Sequence, residues 1–223
     1  MKCILVILII FLTQIKVCAY TYHAVYDLNG KKVYETKNAS IDYYSDDYMI
    51  LKDNNGYFLK FSNGKKGNYY KLLKKLPMTN KYLLAQSSFM GENFDLINTN
   101  GKIVIPYKNN YLWDYIFTPD DKVIVYDEKE KTPYLIDING KKIKITEAQF
   151  EKEFNLNEQR KESFSREPVI PKEYKNVLRY KNYFAYQENG LWGVRDYSNN
   201  LILKPTFKKI IKIIDNYIYE VDF

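Results

Sequence analysis

The chain has 223 residues, 34 Lys and Arg against 27 Asp and Glu, a net charge of +7, two cysteines and one histidine. So little His and Cys excludes a zinc centre of the usual ligands and leaves one imidazole for any triad. The length suits one hydrophobic core rather than two.

In chain order the first expected element is an export signal. Lys2 gives a short positive region, Cys3–Leu12 is unbroken apolar, and Val17-Cys18-Ala19 puts small residues at positions −3 and −1 before Tyr20. The apolar run falls short of the roughly 20 residues that a membrane-crossing helix needs, so no transmembrane segment is expected after cleavage. A buried N-terminal helix would lack a cap, and a lipid anchor at Cys18 would want Gly, Ala or Ser where Val17 stands. Cleavage between Ala19 and Tyr20 fits best, leaving residues 20–223 as one secreted or periplasmic domain. Both cysteines leave with residues 1–19, so no disulfide can hold that domain. Loss of Lys2 and Lys16 lowers the charge from +7 to +5. Outside the cell such a balance points to an anionic envelope polymer, a lipid headgroup or an acidic protein rather than nucleic acid. The lysines are interleaved with Asp and Glu, as on any solvated surface.

A pattern then recurs: an alternating strand, an Asn-Gly turn and a second strand that opens on lysine. The copies centre on Asn29-Gly30, Asn63-Gly64, Asn100-Gly101, Asn139-Gly140 and Asn199-Asn200. Asn-Gly supplies the positive φ values of a tight hairpin, and Asn199 is the best non-glycine substitute. The turn residues 30, 64, 101, 140 and 199 are spaced by 34, 37, 39 and 59. The last interval contains residues 146–167, where Thr146 and Gln149 form a capping-box start and Phe150 and Phe154 share one helix face. Without those 22 residues the interval becomes 37, so the segment reads as a helical insertion.

One further strand precedes each later turn unit: Tyr48–Lys52, Tyr82–Gln86, Lys122–Tyr126 and Tyr183–Gln187. The first unit lacks this strand, and Tyr217–Val221 supplies a spare one at the C-terminus. The last strand can therefore pair beside the first and leave no open edge. The expected fold class is all-β, with about five divergent repeats in a closed propeller-like ring. An open β-solenoid is the alternative.

The fifth copy, Asn189-Gly190-Leu191-Trp192-Gly193-Val194-Arg195-Asp196 with Leu201–Phe207, resembles the WG-repeat (KWG) proteins of bacteria. Val169–Val177 and Ile105-Pro106-Tyr107 resemble the closing parts of two other units. In the Trp192 position the other copies carry His23, Tyr57, Phe94 and Pro133. The resemblance implies an exported β-rich repeat scaffold with no established reaction and no catalytic residues to transfer. In physical terms Trp192 packs between units, and Gly193 lets a backbone pass closely.

Chemistry is sparse. His23 occupies a packing slot. Asp53-Asn54-Asn55-Gly56 and Asp137-Ile138-Asn139-Gly140 lack the glutamate of a calcium loop, so no metal is expected. No phosphate loop is present and no cofactor is expected. Asp46-Asp47 and Asp120-Asp121 are adjacent pairs, whose side chains on a strand point to opposite faces. The 23 tyrosines suit half-buried strands and binding surfaces alike. Tyr111, Trp113 and Tyr115 are the candidate binding residues. The expected function is a noncatalytic interaction module for a protein or envelope polymer. The alternative is a carbohydrate-active enzyme with acids from several repeats.

Overall fold

Period-two apolar patterns flanking a glycine turn build strand pairs, and here each pair lies inside a four-stranded antiparallel sheet. The computed structural model describes residues 22–76, 79–87, 94–107, 116–165, 169–174, 176–209 and 212–222. The expected leader with its expected cleavage site at Ala19 and Tyr20, and the candidate trio Tyr111, Trp113 and Tyr115, lie outside them.

The chain opens with β1 (Tyr22–Asp27) and β2 (Lys32–Thr36). Sheet 2 follows as β3 (Ser40–Tyr44), β4 (Tyr48–Asp53), β5 (Gly56–Phe61) and β6 (Lys66–Tyr70). Sheet 3 holds β7 (Leu72–Lys75), β8 (Tyr82–Gln86), β9 (Asp95–Asn98) and β10 (Ile103–Ile105). Sheet 4 holds β11 (Ile116–Phe117), β12 (Val123–Asp127), β13 (Thr132–Ile136) and β14 (Lys142–Lys144). The helix α1 (Glu147–Ser165) then precedes sheet 5, made of β15 (Val177–Arg179), β16 (Tyr183–Glu188), β17 (Leu191–Asp196) and β18 (Leu201–Phe207). The chain ends in β19 (Lys212–Ile214) and β20 (Tyr217–Asp222), and β20 pairs with β1 from Tyr22↔Asp222 to Asp27↔Tyr217. Sheet 1 is thus β19-β20-β1-β2, assembled from both ends of the chain.

The sequence pattern anticipates three strands per unit, but each sheet has four. The additional first strands, β3, β7, β11, β15 and β19, are two to five residues long. Segments that short carry almost no period-two signal. Their place is set by pairing with the strong second strand of each sheet, as Leu72↔Gln86 to Lys75↔Leu83 shows.

The turn chemistry also differs from the simple expectation. In sheet 1 the Gly30 amide donates to the Asp27 carbonyl at 3.0 Å and the Asp27 amide to the Lys31 carbonyl at 2.9 Å. The same pair of bonds recurs around Phe61, Asn98, Asp137 and Asp196. Only the fourth residue of each turn, Gly30, Gly64, Gly101, Gly140 or Asn199, has positive φ. This is a type I turn followed by a left-handed bulge residue, not a two-residue turn with both φ values positive. The two-residue form occurs at Asn189-Gly190, with φ of 51° and 80°.

Among the described residues the core lies in clusters that join sheets 5 and 1, 1 and 2, 2 and 3, and 3 and 4. Val25 and Tyr219 of sheet 1 pack with Ile41, Met49, Leu51 and Phe58 of sheet 2. Ile50 and Leu59 of sheet 2 meet Leu73, Leu83 and Ile97 of sheet 3. Leu96 and Ile105 of sheet 3 meet Phe117, Val123 and Ile136 of sheet 4. Ala185, Val194 and Phe207 of sheet 5 meet Ile213 and Ile218 of sheet 1. The helix starts as the capping box requires: the Gln149 amide donates to the Thr146 hydroxyl at 3.2 Å and the Thr146 amide to the Gln149 side chain at 2.9 Å. It lies against sheet 4, with the Phe150 ring 5.7 Å from that of Tyr126.

Candidate functional site

Antiparallel order puts the first–second and third–fourth turns of each sheet at one end. That end therefore gathers two turns from every sheet. Within sheet 2 they are tied by the Ser62 amide, which donates to the Asp47 carbonyl at 3.0 Å; within sheet 3 the Thr99 amide donates to the Lys81 carbonyl at 3.1 Å. Between sheets 3 and 4 the Asn98 side-chain amide donates to the Ile138 carbonyl at 3.4 Å.

The third–fourth turns share a side-chain device. Asp27 Oδ1 accepts from the Asn29 and Lys31 amides, both at 2.9 Å. Asn98 accepts from Asn100 and Lys102, and Asp137 accepts from Asn139 and Lys141. Asp196 accepts from the Asn200 amide at 2.8 Å. The Lys141 amide before other contacts, and the Asn200 side chain first in sheet 5, hold the Asp137 and Asp196 carboxyls below the usual carboxylate range. In sheet 2 the same position is Phe61, which cannot accept; Asn63 takes over one bond, from the Lys65 amide at 2.9 Å.

Phe61 is also where this end of the molecule has a depression. The space measures about 690 Å³ and spans turns of sheets 2, 3 and 4. Its apolar part is Phe61, Tyr48 and Ile138. Its charged part is Asp47, Lys65 and Lys81, with Ser62, Asn63, Thr99 and Asn100 supplying neutral donors and acceptors. Neither lysine ammonium has a hydrogen-bond or ion-pair partner among the described residues. Tyr48 is 4% exposed and its hydroxyl is buried without a hydrogen-bond partner. Burial pushes that phenol well above its usual range; the neighbouring Tyr43 hydroxyl offsets part of the shift without meeting hydrogen-bond geometry.

The residues singled out in the sequence lie elsewhere or frame this site. Gly64, Gly101 and Gly140 belong to the turns of sheets 2, 3 and 4 around the depression, while Gly30 serves the turn of sheet 1. Asn29 donates its backbone amide to Asp27. Trp192 is partly buried against the cluster that joins sheets 5 and 1, away from the depression. His23, in the equivalent slot of sheet 1, is partly buried, and burial followed by nearby Lys212 lowers its pKa. Of the adjacent acids, Asp46 accepts from the Tyr217 hydroxyl at 2.8 Å while Asp47 faces the depression. Asp120 pairs with Lys122 at 2.7 Å, and Asp121 receives the Thr79 hydroxyl at 3.2 Å.

Phe61, Lys65, Lys81, Asp47 and Tyr48 were not legible as a site from sequence. One signal was available: aligned on the turn, the other four copies read Asp, Asn, Asp and Asp where this one reads Phe. Among the described residues no three His, Cys, Asp or Glu side chains gather as a metal site, and no helix is long and apolar enough to cross a membrane. Family models, curated proteins and solved structures were each compared with the chain, and none matches.

Proposed function

We propose that this protein is an exported repeat scaffold of WG type that binds a protein or an anionic envelope polymer and carries out no reaction itself. In this reading its five sheets close into a propeller-like ring, and the end that carries paired turns is the binding face. The observation that carries the proposal is the depression at Phe61, where one repeat abandons the side-chain cap used by four others for a ring that packs partly on the core of sheets 2 and 3 and also lines the depression, together with two unpartnered lysines. A local structural bond given up at one copy alone is what a binding role would leave behind. Binding suits this lining better than glycoside hydrolysis, because the depression brings one carboxylate, Asp47, where that chemistry uses two. Support for closure comes from the β1–β20 pairing and from apolar clusters joining sheets 5, 1, 2, 3 and 4 in succession.

The test is retention of envelope and secreted material by immobilised residues 20–223, washed at low and at high salt. A selective partner that survives the high-salt wash is expected, since a built interface is screened less than scattered surface charge. Only unselective, salt-labile material would remove the proposal.

A further inference from the structure

We infer that the depression between the turns of sheets 2, 3 and 4 takes a carboxylated saccharide, a short run of uronic-acid-type sugar units. The inference rests on the binding-module reading above and names the ligand chemistry of that same site.

Three features of the lining point the same way. Phe61 offers an apolar ring at a position where a cap would otherwise consume the side chain, and the C–H face of a pyranose stacks on such a ring. Asn63, Asn100, Ser62 and Thr99 surround it with neutral groups of the kind that exchange hydrogen bonds with sugar hydroxyls. Lys65 and Lys81 reach the depression from different sheets, outnumber the single carboxylate of Asp47 and have no partner among the described residues. Two unpaired lysines and an aromatic side chain on one lining fit a carboxylate borne on a polyol better than a neutral sugar. The volume of about 690 Å³ lies inside the roughly 300–1,000 Å³ common for ligand sites.

An acidic peptide would also seek the lysines. The depression, however, is lined by turn residues that mix aromatic side chains with small amides and hydroxyls, not by the strand edge or apolar groove that peptide recognition ordinarily uses. That favours the sugar.

The experiment titrates residues 20–223 with trigalacturonate, with neutral galactotriose and with a hexa-aspartate peptide, using calorimetry and amide chemical shifts. Trigalacturonate is expected to bind, galactotriose much more weakly, and hexa-aspartate no better than salt screening allows. Lys65→Glu with Lys81→Glu should weaken trigalacturonate binding by at least about tenfold, as should Phe61→Asn. Lys37→Glu with Lys172→Glu, an equal charge change at exposed positions outside the depression, should leave it nearly unchanged. Thermal melts of all variants separate lost binding from lost fold, and Phe61→Asn also restores an acceptor at the turn. Equal binding of the acidic and neutral sugars, tighter binding of hexa-aspartate, or indifference to the Lys65 and Lys81 changes overturns the inference. If no saccharide binds while a partner is still retained at high salt, only the ligand class falls; if both fail, the binding reading falls with it.

Discussion

At Gly193 an added Cβ would lie 2.8 Å from the Leu203 carbonyl oxygen, 2.9 Å from the Pro205 nitrogen and 3.0 Å from the Tyr186 ring. Two of these neighbours are backbone and cannot swing away. The register of β17 against β18 shifts on both sides of Val194, bringing the β18 chain across the glycine. The equivalent residues in the other sheets are Ala24, Phe58, Asp95 and Tyr134, so glycine answers a local approach in sheet 5 rather than a rule of the repeat. Gly193→Ala should cost about 1–3 kcal/mol, read as a lowered midpoint in urea. An unchanged midpoint would mean that β17 and β18 part without cost. The neighbouring Trp192 position shows the same freedom: His23, Tyr57, Phe94 and Pro133 stand there, and both Trp192 and Tyr57 pack on a cluster that joins their sheet to the next. This is why the Trp-Gly pair is visible once and the fold five times.

At the scale of elements, α1 is the part with least claim on the core. Of its described side chains only Asn157 is buried, and Phe154 and Leu156 are exposed. Its capping box and its aromatic contact with Tyr126 orient it against sheet 4. Deleting residues 146–167 should leave the β-type circular dichroism and a cooperative melt. Loss of cooperativity would show that the helix holds sheet 4 in place. The boundaries of α1 and of the second and third strands were legible in the sequence because a capping box, a glycine turn and period-two apolar runs are local signals. The first strands were not legible. β11 has two residues and β15 three, and they become strands because β12 and β16 offer them an edge.

For the whole molecule, the decisive contact joins the two ends of the described chain. Ile218 is fully buried five residues from the C-terminus, in the cluster that unites sheets 5 and 1, and Tyr219 beside it is buried in the cluster that unites sheets 1 and 2. Ile218→Ala should therefore cost about 2–5 kcal/mol, as much as Ile50→Ala in the centre of sheet 2. Equilibrium unfolding of the two variants side by side checks this. A cost under about 1 kcal/mol at Ile218 alone would mean that the terminal strands fray apart from the rest and that nothing closes the array.

The sequence by itself determined the repeat, its length, the turn positions, the helical segment and the pairing of the last strand with the first. Each of these is written in residues close together along the chain, or in a missing strand at one end matched by a spare at the other. Only the tertiary structure decided that each sheet has four strands and that Phe61, Lys65, Lys81, Asp47 and Tyr48 share one depression. Turns about 37 residues apart in sequence become neighbours only when their sheets pack. Nothing local in Lys81 or Asp47 marks either residue for that place.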